Sequence, residues 1–143
     1  MSQELATRLD DLVVGAALAL FESVGVHLER QEPPPTTPPD HDMAASIGFV
    51  SAEVRGALAI TTRRELVMRA WPKELGAKPP SETAVADWCG ELSNQLMGRL
   101  KNRLLEHGLA LEQGTPSVVT GWQLHRSPST TNLAKVFAFK GEA

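Results

Sequence analysis

Residues 86–101 read Ala-Asp-Trp-Cys-Gly-Glu-Leu-Ser-Asn-Gln-Leu-Met-Gly-Arg-Leu-Lys, and this stretch holds the side chains best spaced for chemistry. A helix advances about 100° per residue. On that period Val85, Trp88, Cys89, Leu92, Leu96 and Leu100 share one side, while Asp87, Glu91, Asn94, Gly98 and Asn102 share the other. Glu91 and Asn94 are three apart and therefore neighbours on the polar face. A carboxylate beside a carboxamide offers hydrogen-bond acceptors and donors. Gly98 lies one turn further along. A glycine inside a helix costs about 1 kcal/mol relative to alanine, and beside two polar residues its consequence is that another backbone can approach closely. Spacing alone leaves two readings, a solvated helix face and a contact face.

Other chemistries find little support. The histidines are His27, His41, His107 and His125, and none pairs with another His or Cys at ligand spacing, so no metal held by this chain is expected. No serine sits in a nucleophile elbow and no glycine-rich loop has phosphate-binding spacing. The single cysteine, Cys89, excludes an internal disulfide and reads as a small core residue. The net charge of −3 over 143 residues argues against a nucleic-acid footprint. With 42% hydrophobic and 22% charged residues the composition is that of one globular domain, 1–143. The start, Met-Ser-Gln-Glu-Leu, does not resemble a signal peptide. The longest apolar run, Val13 to Phe21, is about half of a membrane span. A cytoplasmic protein without a membrane partner is the expectation.

The elements that must position the polar face follow from pattern. Leu5, Leu9, Leu12, Val13, Ala16, Leu20 and Val24 predict a helix over 3–26. Its second half is apolar nearly all round, which calls for cover on two sides. Residues 31–41 carry five prolines and predict an extended loop after that helix. Residues 45–50 and 55–62 alternate as two strands. Thr62-Arg63-Arg64-Glu65 has capping-box spacing for a short helix ending near Pro72. Ser81 is the expected N-cap of the long central helix, and Gly108 its stop. Beyond it, Leu109–Glu112, continuing past Gly114 into Pro116–Gly121, and a hairpin of Trp122–Arg126 with Leu133–Gly141 read as β. The fold class is α/β: a largely antiparallel sheet packed on one face by helices, including one long central helix.

Asp87, Gly90-Glu91, Asn94, Gly98 and Lys101 fit D-x-x-G-E-x-x-N-x-x-x-G-x-x-K, and Gly114-Thr115-Pro116-Ser117-Val118-Val119-Thr120-Gly121 follows downstream. Together with the strand pair turning near Gly56, this ordered set over roughly residues 43–140 resembles the CheX-like and CheC-like chemotaxis phosphatases. The single E-x-x-N is similar to the CheX-like members. Ser51 and Ala52 stand where glycine is frequent. The resemblance implies a CheC-like fold and hydrolysis of the aspartyl-phosphate on a CheY-like response regulator. It implies catalytic roles for Glu91 and Asn94, and partner contacts for Asp87, Gln95, Gly98 and Asn102. Lys101 reads as a solvated or pairing residue. Mg²⁺ would come with the phosphorylated receiver, and a homodimer is expected. The competing readings are a non-catalytic receiver-binding module, as in the flagellar switch, and a dimerising domain.

Overall fold

Strands of alternating burial and one long amphipathic helix carry the architecture. The computed structural model describes residues 3–37, 40–121 and 135–142. The elements are α1 (Gln3–Ser23), β1 (His27–Gln31), β2 (Met43–Val50), β3 (Arg55–Thr62), α2 (Arg64–Arg69), a 3-10 turn (Lys73–Leu75), α3 (Glu82–Leu105), β4 (Glu112–Gln113), β5 (Ser117–Thr120) and β6 (Ala138–Glu142). Every strand pair among the described residues is antiparallel. β2 lies between β3 on one side and β4 and β5 on the other, while β1 and β6 form a second, two-stranded sheet. Met43, Ala45 and Ile47 of β2 are buried and alternate with exposed Ser46, Gly48 and Val50. The helices α1 and α3 pack on each other, and α3 lies on β2 and β5. The α/β class with an antiparallel sheet and a long helix is therefore as the sequence predicts.

The ends of α3 are fixed locally. The Ser81 hydroxyl accepts the Ala84 N–H at 3.1 Å, and the Leu109 N–H returns to the Leu104 carbonyl at 3.1 Å. Gly108 takes φ 85°, the left-handed turn that ends a helix at low steric cost. Val85, Cys89, Leu92, Leu96, Leu100 and Leu104 are buried along one side. Burial pushes the Cys89 thiol up to about 11, so it stays protonated and serves as a core side chain. Trp71 and Trp88 meet edge to face at 6.1 Å. The Trp88 indole donates to the Ala70 carbonyl at 3.0 Å, which ties the chain after α2 to the first half of α3.

Several boundaries differ from the sequence reading. α1 ends at Ser23, not residue 26, because Gly25 at φ 80° reverses the chain. Residues 27–31 then form β1 against β6. Gln31 is the last residue of that strand and not the first of the proline loop. Only Leu28 is buried in β1, so its short, polar sequence carries no alternation to read; its partner supplies the strand. Thr62 does not cap α2: it ends β3 and its hydroxyl donates to the Arg63 carbonyl. A carboxylate from outside the segment takes the role, Asp42 Oδ1 accepting the Arg64 N–H at 2.7 Å. Such a cap contributes about 1 kcal/mol. The short strand after α3 is Glu112–Gln113 and not Leu109–Glu112. Of the expected hairpin, Trp122–Arg126 lies outside the described residues, and β6 pairs with β1. No helix among the described residues is long and apolar enough to cross a membrane.

Candidate functional site

The polar strip of α3 stands opposite its core side, as the 100° period requires. Asp87, Glu91 and Asn102 are exposed, and Asn94, Gln95 and Gly98 are half-buried. Glu91 gathers two amides: Asn94 Nδ2 donates to its Oε2 at 3.5 Å and Gln95 Nε2 to its Oε1 at 3.4 Å. Asn94 Oδ1 in turn accepts from Gln113 Nε2 at 3.5 Å. The structure thus brings Glu91, Asn94 and Gln95 into one hydrogen-bonded set. Asp87, Gly98 and Asn102 lie along the same helix face, outside that set. Among the described residues no three His, Cys, Asp or Glu side chains converge as a metal site.

The helix is seated by a strip of small residues that its polar motif does not advertise. Gly90 is buried, and a Cβ there would stand 3.2 Å from Val118 Cγ2 of β5 and 3.6 Å from Pro116 Cγ. Ser93 is fully buried and donates to the Gly90 carbonyl at 2.8 Å. Gly90 lets α3 lie close on β5 at the turn that carries Glu91 and Asn94. Gly98 is different. A Cβ there meets nothing within 4 Å, so the fold itself does not require glycine. Gly98→Ala is expected to raise stability by up to about 1 kcal/mol through helix propensity. Paired thermal melts and receiver titrations check this: a higher Tm with weaker receiver binding is the expected result. A higher Tm with unchanged binding removes Gly98 from the contact face.

Gln113 is the member of this hydrogen-bonded set that sequence reasoning missed. The signal was present as a period of two: Leu109 and Leu111 are buried while Ala110 and Glu112 are exposed, so position 113 faces inward.

Solved structures share this fold. CheX from Vibrio vulnificus is 24% identical with a TM-score of 0.78, covering 90% of this chain and 85% of that one. A CheC-like superfamily protein from Shewanella sp. PV-4 is 28% identical with a TM-score of 0.64, covering 86% and 80%. A CheX–CheY–BeF3–Mg²⁺ complex from Borrelia burgdorferi matches at 12% identity and a TM-score of 0.61, covering 92% and 86%. No curated protein matches the chain. The fold is therefore CheC-like. The chain belongs to the CheX family, whose model, described as chemotaxis phosphatase CheX, matches residues 43–139.

Proposed function

We propose that this protein hydrolyses the aspartyl-phosphate of a CheY-like response regulator, using Asn94 to place the attacking water and Glu91 to dock the receiver. The observation that carries the reading is the joined Glu91–Asn94 pair on an accessible helix face, in a chain of the CheX family. The Borrelia burgdorferi relative, described as a complex with CheY, BeF3 and Mg²⁺, supports the partner class. The Mg²⁺ and the phosphoryl group are the receiver's.

Phosphoryl transfer is governed mostly by positioning and electrostatics. Asn94 has two N–H donors and two acceptor lone pairs. One donor goes to Glu91 and one lone pair to Gln113, which leaves one of each. The free lone pair accepts a hydrogen bond from water and holds it in line with the phosphorus. Asn94 need not remove a proton. Glu91 keeps acceptor capacity for a receiver lysine beside the phosphoryl group. Gly98 gives the partner backbone room, with Asp87, Gln95 and Asn102 completing the contact. Mixing the protein with a phosphorylated CheY-like receiver and following phosphate release tests the reading. Release well above that of the receiver alone is expected. Tight binding without faster release would favour the non-catalytic docking module.

For the quaternary state we propose a homodimer. β3 has no strand partner on its outer side among the described residues, and an open edge invites pairing. Val13, Val14 and Leu18 of α1 are only half-buried, which leaves apolar surface that a second copy would cover. Light scattering at tens of micromolar protein should give twice the chain mass; a 15.5 kDa species alone would overturn the dimer.

A further inference from the structure

Gln113 occupies an unusual position for an amide. Leu109 and Leu111 are buried, so the inward side of this return segment is apolar until residue 113. Its backbone pairs with Phe49 of β2, and the following Gly114 N–H donates to the Gly48 carbonyl at 3.0 Å. The main chain at 113 is therefore held by the sheet, independently of the side chain. A half-buried polar side chain on an inward position needs a partner. Here it is Asn94.

The chemistry at the far end of this set fixes its direction. An ionised carboxylate only accepts hydrogen bonds. Glu91 therefore requires the NH₂ of Asn94 to face it, and Oδ1 must turn the other way, toward β4. Whatever stands at 113 must then donate. Glutamine does so; glutamate could not, and leucine would leave Oδ1 free to rotate away.

We propose that Gln113 is a positioning residue for the reaction, clamping the Asn94 carboxamide from the sheet while Glu91 clamps it from the helix. The inference rests on the phosphatase reading. The two clamps act on opposite ends of one amide, so its rotation about χ2 is restrained before the receiver arrives. A bond of 3.5 Å is long in the free protein, and such contacts often tighten in the reacting complex. Gln113 does not touch the water or the phosphoryl group. It acts through Asn94.

The test is steady-state dephosphorylation of a phosphorylated CheY-like receiver by wild type, Gln113→Leu, Gln113→Glu, Asn94→Ala and the Asn94→Ala/Gln113→Leu double variant. Gln113→Leu should lose about tenfold in kcat, less than the hundredfold that a displacement of about 1 Å can cost, because the Glu91 clamp remains, with KM for the receiver within about twofold. Gln113→Glu, which sets an acceptor against Oδ1, should lose more. In the Asn94→Ala background Gln113→Leu should have no further effect, because a residue acting through Asn94 has nothing left to position. In the ¹⁵N–¹H spectrum of the free protein, the Asn94 side-chain amide pair should move toward free-amide shifts in Gln113→Leu. Wild-type kcat in both Gln113 variants, beside an inactive Asn94→Ala, overturns the inference and leaves the phosphatase reading standing. An equal loss from Gln113→Leu with and without Asn94 overturns it too, since that is a structural role. A wild type no faster than the receiver alone removes the phosphatase reading, and the inference with it.

Discussion

Asn94→Ala is expected to leave the protein folded and at least as stable as wild type while phosphate release falls about a hundredfold. The stability half follows from position. Asn94 is half-buried, its side-chain bonds to Glu91 and Gln113 are both long at 3.5 Å, and it is replaced by the best helix former. Gln113 loses only a long bond of 3.5 Å, and its side chain is half-buried and not sealed from water. The activity half follows from the proposed role. Loss of one well-placed polar group at a reacting centre is typically worth about 10² in rate, or about 2.7 kcal/mol. Receiver binding should fall much less, because Glu91 and the rest of the strip remain. Asn94→Gln is the sharper variant. It keeps the amide but moves it by one methylene, away from both Glu91 and the water, and a shift of about 1 Å can cost a hundredfold. A solvated helix face gives the opposite outcome, with both variants silent. Wild-type phosphate release from Asn94→Ala would end the catalytic assignment.

Glu91→Lys should act first on binding. The carboxylate is exposed in the free protein, and in the proposed complex it meets a receiver lysine at a surface that becomes buried. Removing one partner of such a pair costs on the order of 2 kcal/mol or more, about thirtyfold in Kd, and reversing the charge adds repulsion. Glu91→Ala should show the same direction with a smaller loss. Both variants also release the Asn94 and Gln95 amides, so kcat falls along with affinity. Calorimetric titration of the phosphorylated or beryllofluoride-loaded receiver separates the two effects. A Glu91→Lys protein that binds as tightly as wild type would show that the charge does not register the partner.

The central helix was legible in the sequence because its signals are local. The N-cap serine, the stop glycine and the apolar stripe all lie within or beside it, and the structure keeps each. The polar strip was legible for the same reason. What escaped was built from distant parts of the chain. β1 exists because β6 comes back to pair with it, and nothing in His-Leu-Glu-Arg-Gln predicts that. The cap of α2 comes from Asp42, across the strand pair, and so the nearer capping-box spacing at Thr62 pointed to a bond that does not form. Gly90 was visible as a motif residue, but its reason, the approach of Val118, requires the packed sheet. Gln113 lay in a readable alternation, yet its meaning depends on which residue of α3 it faces.

The way α3 divides its residues bears on how such a protein can change its clientele. The side chains that hold the helix in the core and those offered to a partner interleave along one rod of about 36 Å, 24 residues long, and do not overlap. Asp87 and Asn102 are exposed and Gly98 faces open space, so substitution at these positions would alter the proposed receiver contact with little strain on the fold. The apolar stripe and the Gly90–Ser93 seat can meanwhile stay constant. A lineage carrying this helix can therefore drift from one receiver toward another through folded, stable intermediates, with Asn94 and its two clamps kept as the invariant chemistry.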